Sequence, residues 1–231
     1  FIYLRNLMLA AVEENPEIPV AMHLDHGNSL ESCKKAIELG FTSVMIDGSL
    51  KEDGKTPNTF EGNIEATRSV VEYAHPLGVT VEGELGTLGG IEDGVGSGQI
   101  HLTDPNQAQE FVDRTRLDAL AVAIGTSHGA YKFKAEPKLA LDLVQEIHRR
   151  IPGTALVMHG SSSVPAELVE IVNRYGGRMP NAKGVPMSAI QSVIPHGVCK
   201  VNIDTDGRIA ITGAIRKVFA ETPEKFDPRD Y

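Results

Sequence analysis

The chain has 231 residues, 41% hydrophobic and 23% charged, a composition able to bury one sizeable core. Its formal net charge of −9 excludes nucleic acid as a default partner, because phosphate backbones reward a basic face, yet leaves room for a small phosphorylated ligand. Two cysteines, Cys33 and Cys199, are too few for a disulfide framework, and no apolar run approaches the ~18 residues of a membrane span, so a cytoplasmic enzyme with no membrane partner is expected.

The chain opens at Phe1 in an amphipathic helical pattern (Phe1, Leu4, Leu7, Met8, Val12) and stops at Tyr231 without a clear terminal element. N- and C-terminal parts of a longer protein are therefore expected to be missing. Six short apolar runs follow: IPVAMHLDHG (18–27), TSVMIDGS (42–49), VTVEGELG (79–86), ALAVAIGTSHG (119–129), ALVMHGSSS (155–163) and GVCKVNIDTD (197–206). Their richness in Val, Ile, Ala and Met suits strands buried on both faces of a parallel sheet.

Between the runs lie helical patterns at 29–39, 61–74, 105–115, 139–150, 165–175 and 207–220. Ser29, with Glu31 close behind, reads as the start of the first and Gly40 as its stop. Pro105 and Pro165 fall where a first helical turn accepts proline. The stretches 86–98 and 176–186 read as mobile surface loops. Strand–helix alternation predicts right-handed βαβ crossovers. A doubly wound sheet and a barrel both fit. The barrel is favoured because chemically useful residues sit at the C-terminal end of every strand, where barrel active sites assemble. The expected architecture is a (β/α)8 TIM barrel in which two strands are missing, with residues 1–231 forming a single catalytic domain.

Three histidines, His26, His128 and His159, each lie just past a predicted strand and directly before a glycine. Three imidazoles converging on one point would make a catalytic zinc set with a coordination position left open. His23, inside its strand, reads as a core or supporting residue. Asp25 directly precedes His26. Glu82 and Glu84 must share a face of their strand, and an inward pair of acids is costly without a cation or donors. Asp47 and Glu84 can share a second metal position, whereas Glu82 and Asp93 also fit solvated rim acids. Three small-residue loops, GTSHG (125–129), HGSSS (159–163) and NIDTDG (202–207), expose backbone amides to an anion, and Lys132 adds a positive charge.

HLDHG, VMIDGS, EGELGTLGGIEDG, GTSHGAYKF, HGSSS and KVNIDTD, in this order, resemble the motifs of class II fructose-bisphosphate aldolases and their tagatose-bisphosphate relatives. GTSHGAYKF is similar to the subgroup of bacterial type B and Calvin-cycle enzymes. The resemblance implies that His26, His128 and His159 bind catalytic Zn2+, and that Asp47 and Glu84 belong to a second divalent position; it also allows a monovalent cation. It makes Asp25 the proton donor to the aldehyde oxygen and Glu92 the mobile-loop acid that deprotonates the ketose phosphate. Asn202 then stabilises the enediolate. Gly129, Gly160, Ser161, Ser162, Asn202, Ile203, Asp204 and Thr205 match positions that hold dihydroxyacetone phosphate. Ile91 stands where some members carry a second acid. The implied protein is a homodimer or homotetramer acting on a phosphosugar in glycolysis, gluconeogenesis or the Calvin cycle. Fructose and tagatose bisphosphates differ at one carbon, which leaves the choice open. A metal-dependent phosphoester hydrolase on the same scaffold is the competing reading, and it needs no carbon-acid chemistry.

Overall fold

The computed structural model describes residues 2–51, 56–86, 101–126, 130 and 139–231. Six parallel-type strands follow one another in the order β1 (His23–Gly27), β2 (Ser43–Ile46), β3 (Thr80–Leu85), β4 (Ala119–Val122), β5 (Ala155–Met158) and β6 (Val198–Val201). The chain divides into two compact units, the first built from residues 1–86, 103–122 and 146–156 and the second from 87–102, 123–145 and 157–231.

In the first unit β1 to β4 pair in parallel, with Val44 opposite Val81 and Glu84 opposite Ala121. Val44, Met45, Val81, Leu120 and Ala121 are almost wholly buried, which is why these strands read as continuous apolar runs. Helix α2 (Leu30–Glu38) begins at Ser29 in a capping box whose reciprocal partner is Ser32 rather than Glu31, and Gly40 beyond its end takes a φ of 88°. Helix α3 (Phe60–Ala74) buries Asn63, Ile64, Thr67, Val70, Val71 and Ala74, a stripe at helical spacing turned to the strands. Helix α4 (Pro105–Thr115) is capped by Asp104, whose carboxylate accepts from the Asn106 and Gln107 amides at 2.8 and 3.0 Å. Gly83 lets α3 and α4 approach β3: a Cβ there would meet Phe111 at 3.2 Å, Thr67 at 3.3 Å and Leu117 at 3.4 Å. Helix α1 (Ile2–Glu14) buries no residue, and Arg5 Nε donates to the Leu39 carbonyl at 2.7 Å.

Two elements, α5 (Leu141–Arg150) and β5, contribute residues to both units. The second unit also carries α6 (Ala166–Arg174), α7 (Met187–Val193) and α8 (Thr205–Glu221). Val164, Val169, Val172 and Ile209 form its core, with Leu168 and Met179 packed against them. Gly213 on α8 faces Ile171 and Val172 of α6, so the two helices meet without an intervening side chain. Pro165 is the residue before α6 rather than its first turn, and α8 starts at Thr205, two residues ahead of the sequence expectation. Helix α7 follows the 176–186 loop and carries no pattern long enough to have marked it.

Candidate active site

The first unit gathers its chemistry at the C-terminal ends of β1, β2 and β3. In β1 the pairing with β2 slips: Leu24 opposes Val44 and Gly27 opposes Ile46, so Asp25 and His26 together stand against Met45. One strand therefore carries an extra residue, a β-bulge, and His26 takes the left-handed φ of 46° that this requires. The sequence places His26 just past its strand; the structure places it inside β1, in the bulge. Gly27 follows because a Cβ there would lie 2.5 Å from the Met45 carbonyl oxygen.

The bulge sets His26 Nδ1 3.5 Å from Asp47 Oδ2. Asp47 follows β2, and its backbone N–H donates to the Gly27 carbonyl at 2.9 Å. Its other carboxyl oxygen accepts from Ser49, at 2.6 Å from Oγ and 3.2 Å from the amide. Glu84, 5% exposed on β3, completes the group, and one ligand atom from each of His26, Asp47 and Glu84 lies within 4.8 Å of the others. Glu84 Oε2 is buried with no hydrogen-bond partner among the described residues.

The three groups share charge unevenly. Burial opposes a charge on His26, but the Asp47 carboxylate 3.5 Å from Nδ1 and the fields of Glu84 and Asp25 outweigh it and raise the imidazole to about 9. Burial would raise Asp47, yet the neighbouring His26 imidazole and the hydrogen bonds from Ser49 hold it below the usual carboxylate range. Burial first, then the charge of Asp47, pushes Glu84 well above its ordinary value. Two acids, one imidazole and a buried oxygen left over form a donor set that fits a divalent cation, whose charge would relieve all three constraints.

Beside this group, His23 Nδ1 lies 2.8 Å from Ser43 Oγ, and its Nε2 stands 3.6 Å from Glu82 and 3.8 Å from Asp25. Glu82 is 2% exposed, an interior acid rather than a solvated one, whereas Asp25 is exposed. Sequence reasoning passed over Asn63, whose Nδ2 donates to the Glu84 carbonyl at 2.8 Å. The signal was available: an asparagine interrupting the buried stripe of α3 needs a partner inside.

The second unit brings together the other predicted residues. His159, 1% exposed after β5, has its carbonyl held by Thr126 Oγ1 at 2.8 Å and Ser161 Oγ at 3.0 Å. Asn202 Nδ2 lies 3.2 Å from His159 Nδ1 and 3.3 Å from Nε2. Gly160 takes a φ of 59°. Ser162 Oγ accepts from the amides of Asp204 and Thr205 at 3.3 and 3.1 Å, at the start of α8. Asp206 clamps the same loop, accepting from Ser163 N at 2.8 Å, Ser163 Oγ at 2.9 Å and Val164 N at 2.8 Å. Ile203 is half exposed, and Asp204 pairs with Arg208 at 2.6 Å. Glu92, Asp93, His128, Gly129 and Lys132 lie outside the described residues.

Parallel strands ending in an acid–imidazole group whose geometry fits a cation have the architecture of a metal-binding α/β protein. The fructose-bisphosphate aldolase class-II family model matches residues 1–231. The chain is 55% identical to a fructose-bisphosphate aldolase of Nostoc sp., over 99% of this chain and 68% of that protein. It is 57% identical to one of Giardia intestinalis, over 100% of this chain and 69% of the other. The YdjI aldolase of Escherichia coli K12 superposes with a TM-score of 0.69 at 31% identity, covering 94% of this chain and 66% of that one. The chain thus spans about two thirds of the length of these relatives. It belongs to the class II fructose-bisphosphate aldolase family, metal-dependent lyases, and has that family's parallel α/β fold. Among the described residues, no helix is long and apolar enough to cross a membrane.

Proposed function

We propose that the chain catalyses the reversible cleavage of fructose 1,6-bisphosphate to dihydroxyacetone phosphate and glyceraldehyde 3-phosphate, in glycolysis, gluconeogenesis or the Calvin cycle. The observation that carries this reading is the buried His26–Asp47–Glu84 group, with its unsatisfied Glu84 oxygen, in a chain of this family. His26, His128 and His159 would hold catalytic Zn2+, and Asp47 and Glu84 a second divalent position. The bound cation supplies Lewis-acid stabilisation of the charge that develops on the substrate's ketone oxygen.

The chain's own residues do the rest. In the condensation direction Glu92 removes a carbon-bound proton from dihydroxyacetone phosphate. The Asn202 carboxamide, an N–H donor beside His159, stabilises the resulting enediolate oxygen. Asp25, exposed beside His26, gives its proton to the new alkoxide. Gly160, Ser161, Ser162, Ile203, Asp204 and Thr205, with Gly129 and Lys132, hold the phosphate. Support comes from the Asp204 and Thr205 amides, which already point at a hydroxyl oxygen at the start of α8. The protein works as a cytoplasmic homodimer or homotetramer, and a monovalent cation assists the phosphate.

A coupled assay on fructose and tagatose 1,6-bisphosphates, with chelator and with restored zinc or cobalt, tests the reading. Fructose bisphosphate should be cleaved faster, and excess chelator should abolish cleavage until metal is returned. Full activity in excess chelator would overturn the metal role, and faster cleavage of the tagatose isomer would move the specificity to that sugar.

A further inference from the structure

Behind the acids at the ends of β2 and β3 stands one buried carboxamide. Asn63 is 3% exposed on α3, and its Nδ2 donates to the Glu84 carbonyl at 2.8 Å. Its Oδ1 accepts from Thr67 Oγ1 at 3.3 Å, one turn along the helix, with Thr67 wholly buried. The same carboxamide packs against Gly48, the residue after Asp47. A Cβ built at Gly48 would run into Asn63 Oδ1 and would lie 3.1 Å from Cγ and 3.2 Å from Cα. The Gly48 carbonyl is held in turn by Asn58 Nδ2 at 3.1 Å. One side chain therefore touches the backbone of β3 at Glu84 and the backbone beside Asp47.

We propose that Asn63 is a positioning residue for the metal site, a strut that fixes the separation of the Asp47 and Glu84 carboxylates. The proposal rests on the reading that Asp47 and Glu84, beside His26, hold the second divalent cation. A rigid spacing suits a cation because ligand oxygens must be set before it arrives, and supporting hydrogen bonds typically govern about 10- to 100-fold in affinity. Gly48 belongs to the same device: it is glycine because the carboxamide occupies the space a side chain would take.

The test titrates metal-stripped protein with cobalt(II), followed by calorimetry and by the cobalt absorption spectrum, alongside the circular dichroism of the metal-free form. Asn63→Ala and Gly48→Ala should each weaken the second of the two cobalt-binding steps about tenfold or more while the metal-free fold persists. In the double variant the two losses should fall short of additive, because removing the carboxamide removes the nearest atoms that the Gly48→Ala methyl strikes. A purely structural role would lower the melting temperature without moving cobalt affinity or its spectrum. Cobalt affinity in Asn63→Ala within about twofold of wild type would overturn the strut, as would additive losses in the double variant. Where Asn63→Ala does not fold, Asn63→Ser is titrated in its place under the same two limits. Glu84→Gln separates the levels: an unchanged second cobalt-binding step in that variant refutes the second-position reading itself, whereas loss of that step there with a normal one in Asn63→Ala refutes only the strut.

Discussion

At the scale of single residues, the His26–Asp47–Glu84 group would tie the proposed metal uptake to protons. His26 is raised to about 9, so at neutral pH the metal-free imidazole carries a proton that a cation must displace. Metal affinity should therefore climb with pH up to about 9, by roughly tenfold per unit for one displaced proton. Calorimetry in buffers of different ionisation enthalpy would reveal the released proton. The sign for stability runs the other way. A group raised in the folded state stabilises fully below its unfolded value, near 6.5, and loses that contribution as pH rises through about 9. Glu84, also raised, acts in the same direction. Metal-free protein should thus melt at falling temperature between pH 7 and 9.5, by an amount on the order of 2 kcal/mol. In Asp47→Asn the hydrogen-bonding acid is gone and the slope should flatten. An unchanged slope would show that His26 is not charged by Asp47.

At the scale of elements, the strands that carry the site depend on what lies behind them. Gly83→Ala places a methyl against Phe111, Thr67 and Leu117, and should cost about 1–3 kcal/mol in denaturant melts by forcing β3 from α3 and α4. Because β3 carries Glu84, metal affinity should fall with it. Asp104→Ala is the contrast: the α4 cap is lost and the melting temperature falls, while metal affinity stays as it was. In the second unit, Asp206→Ala frees the Ser163–Val164 backbone, including Val164 at a φ of 49°. It should raise KM for the bisphosphate several-fold more than it lowers kcat, as steady-state kinetics would show. The elements themselves were largely legible, since buried strands and one-sided helices leave plain periods in the sequence. The bulge was not, because a left-handed histidine has no sequence mark of the kind a glycine leaves. The burial of Glu82 was not either: alternation says that Glu82 and Glu84 share a face, never which face. Asn63 escaped because a stripe read for apolar residues skips a polar one.

At the scale of the whole molecule, six strand–helix repeats could be read from composition and spacing, and the family from six ordered motifs. The joining of Asp47 and Glu84 with His26 was legible only in part, since the motifs name the residues but pairing register sets their distances. Anything that binds the folded chain alone should stabilise it by mass action: a cation at 100 times its dissociation constant adds about 2.7 kcal/mol. Differential scanning calorimetry with and without zinc should show that gain, and Glu84→Gln should lose most of it. The extra residue in β1 has a further consequence. An evenly counted strand would send two successive side chains to opposite sides, and one of acid and imidazole would have to be surrendered. Odd parity opposite Met45 lifts that exclusion, so one peptide link would suffice to supply both the proposed proton carrier and the proposed ligand.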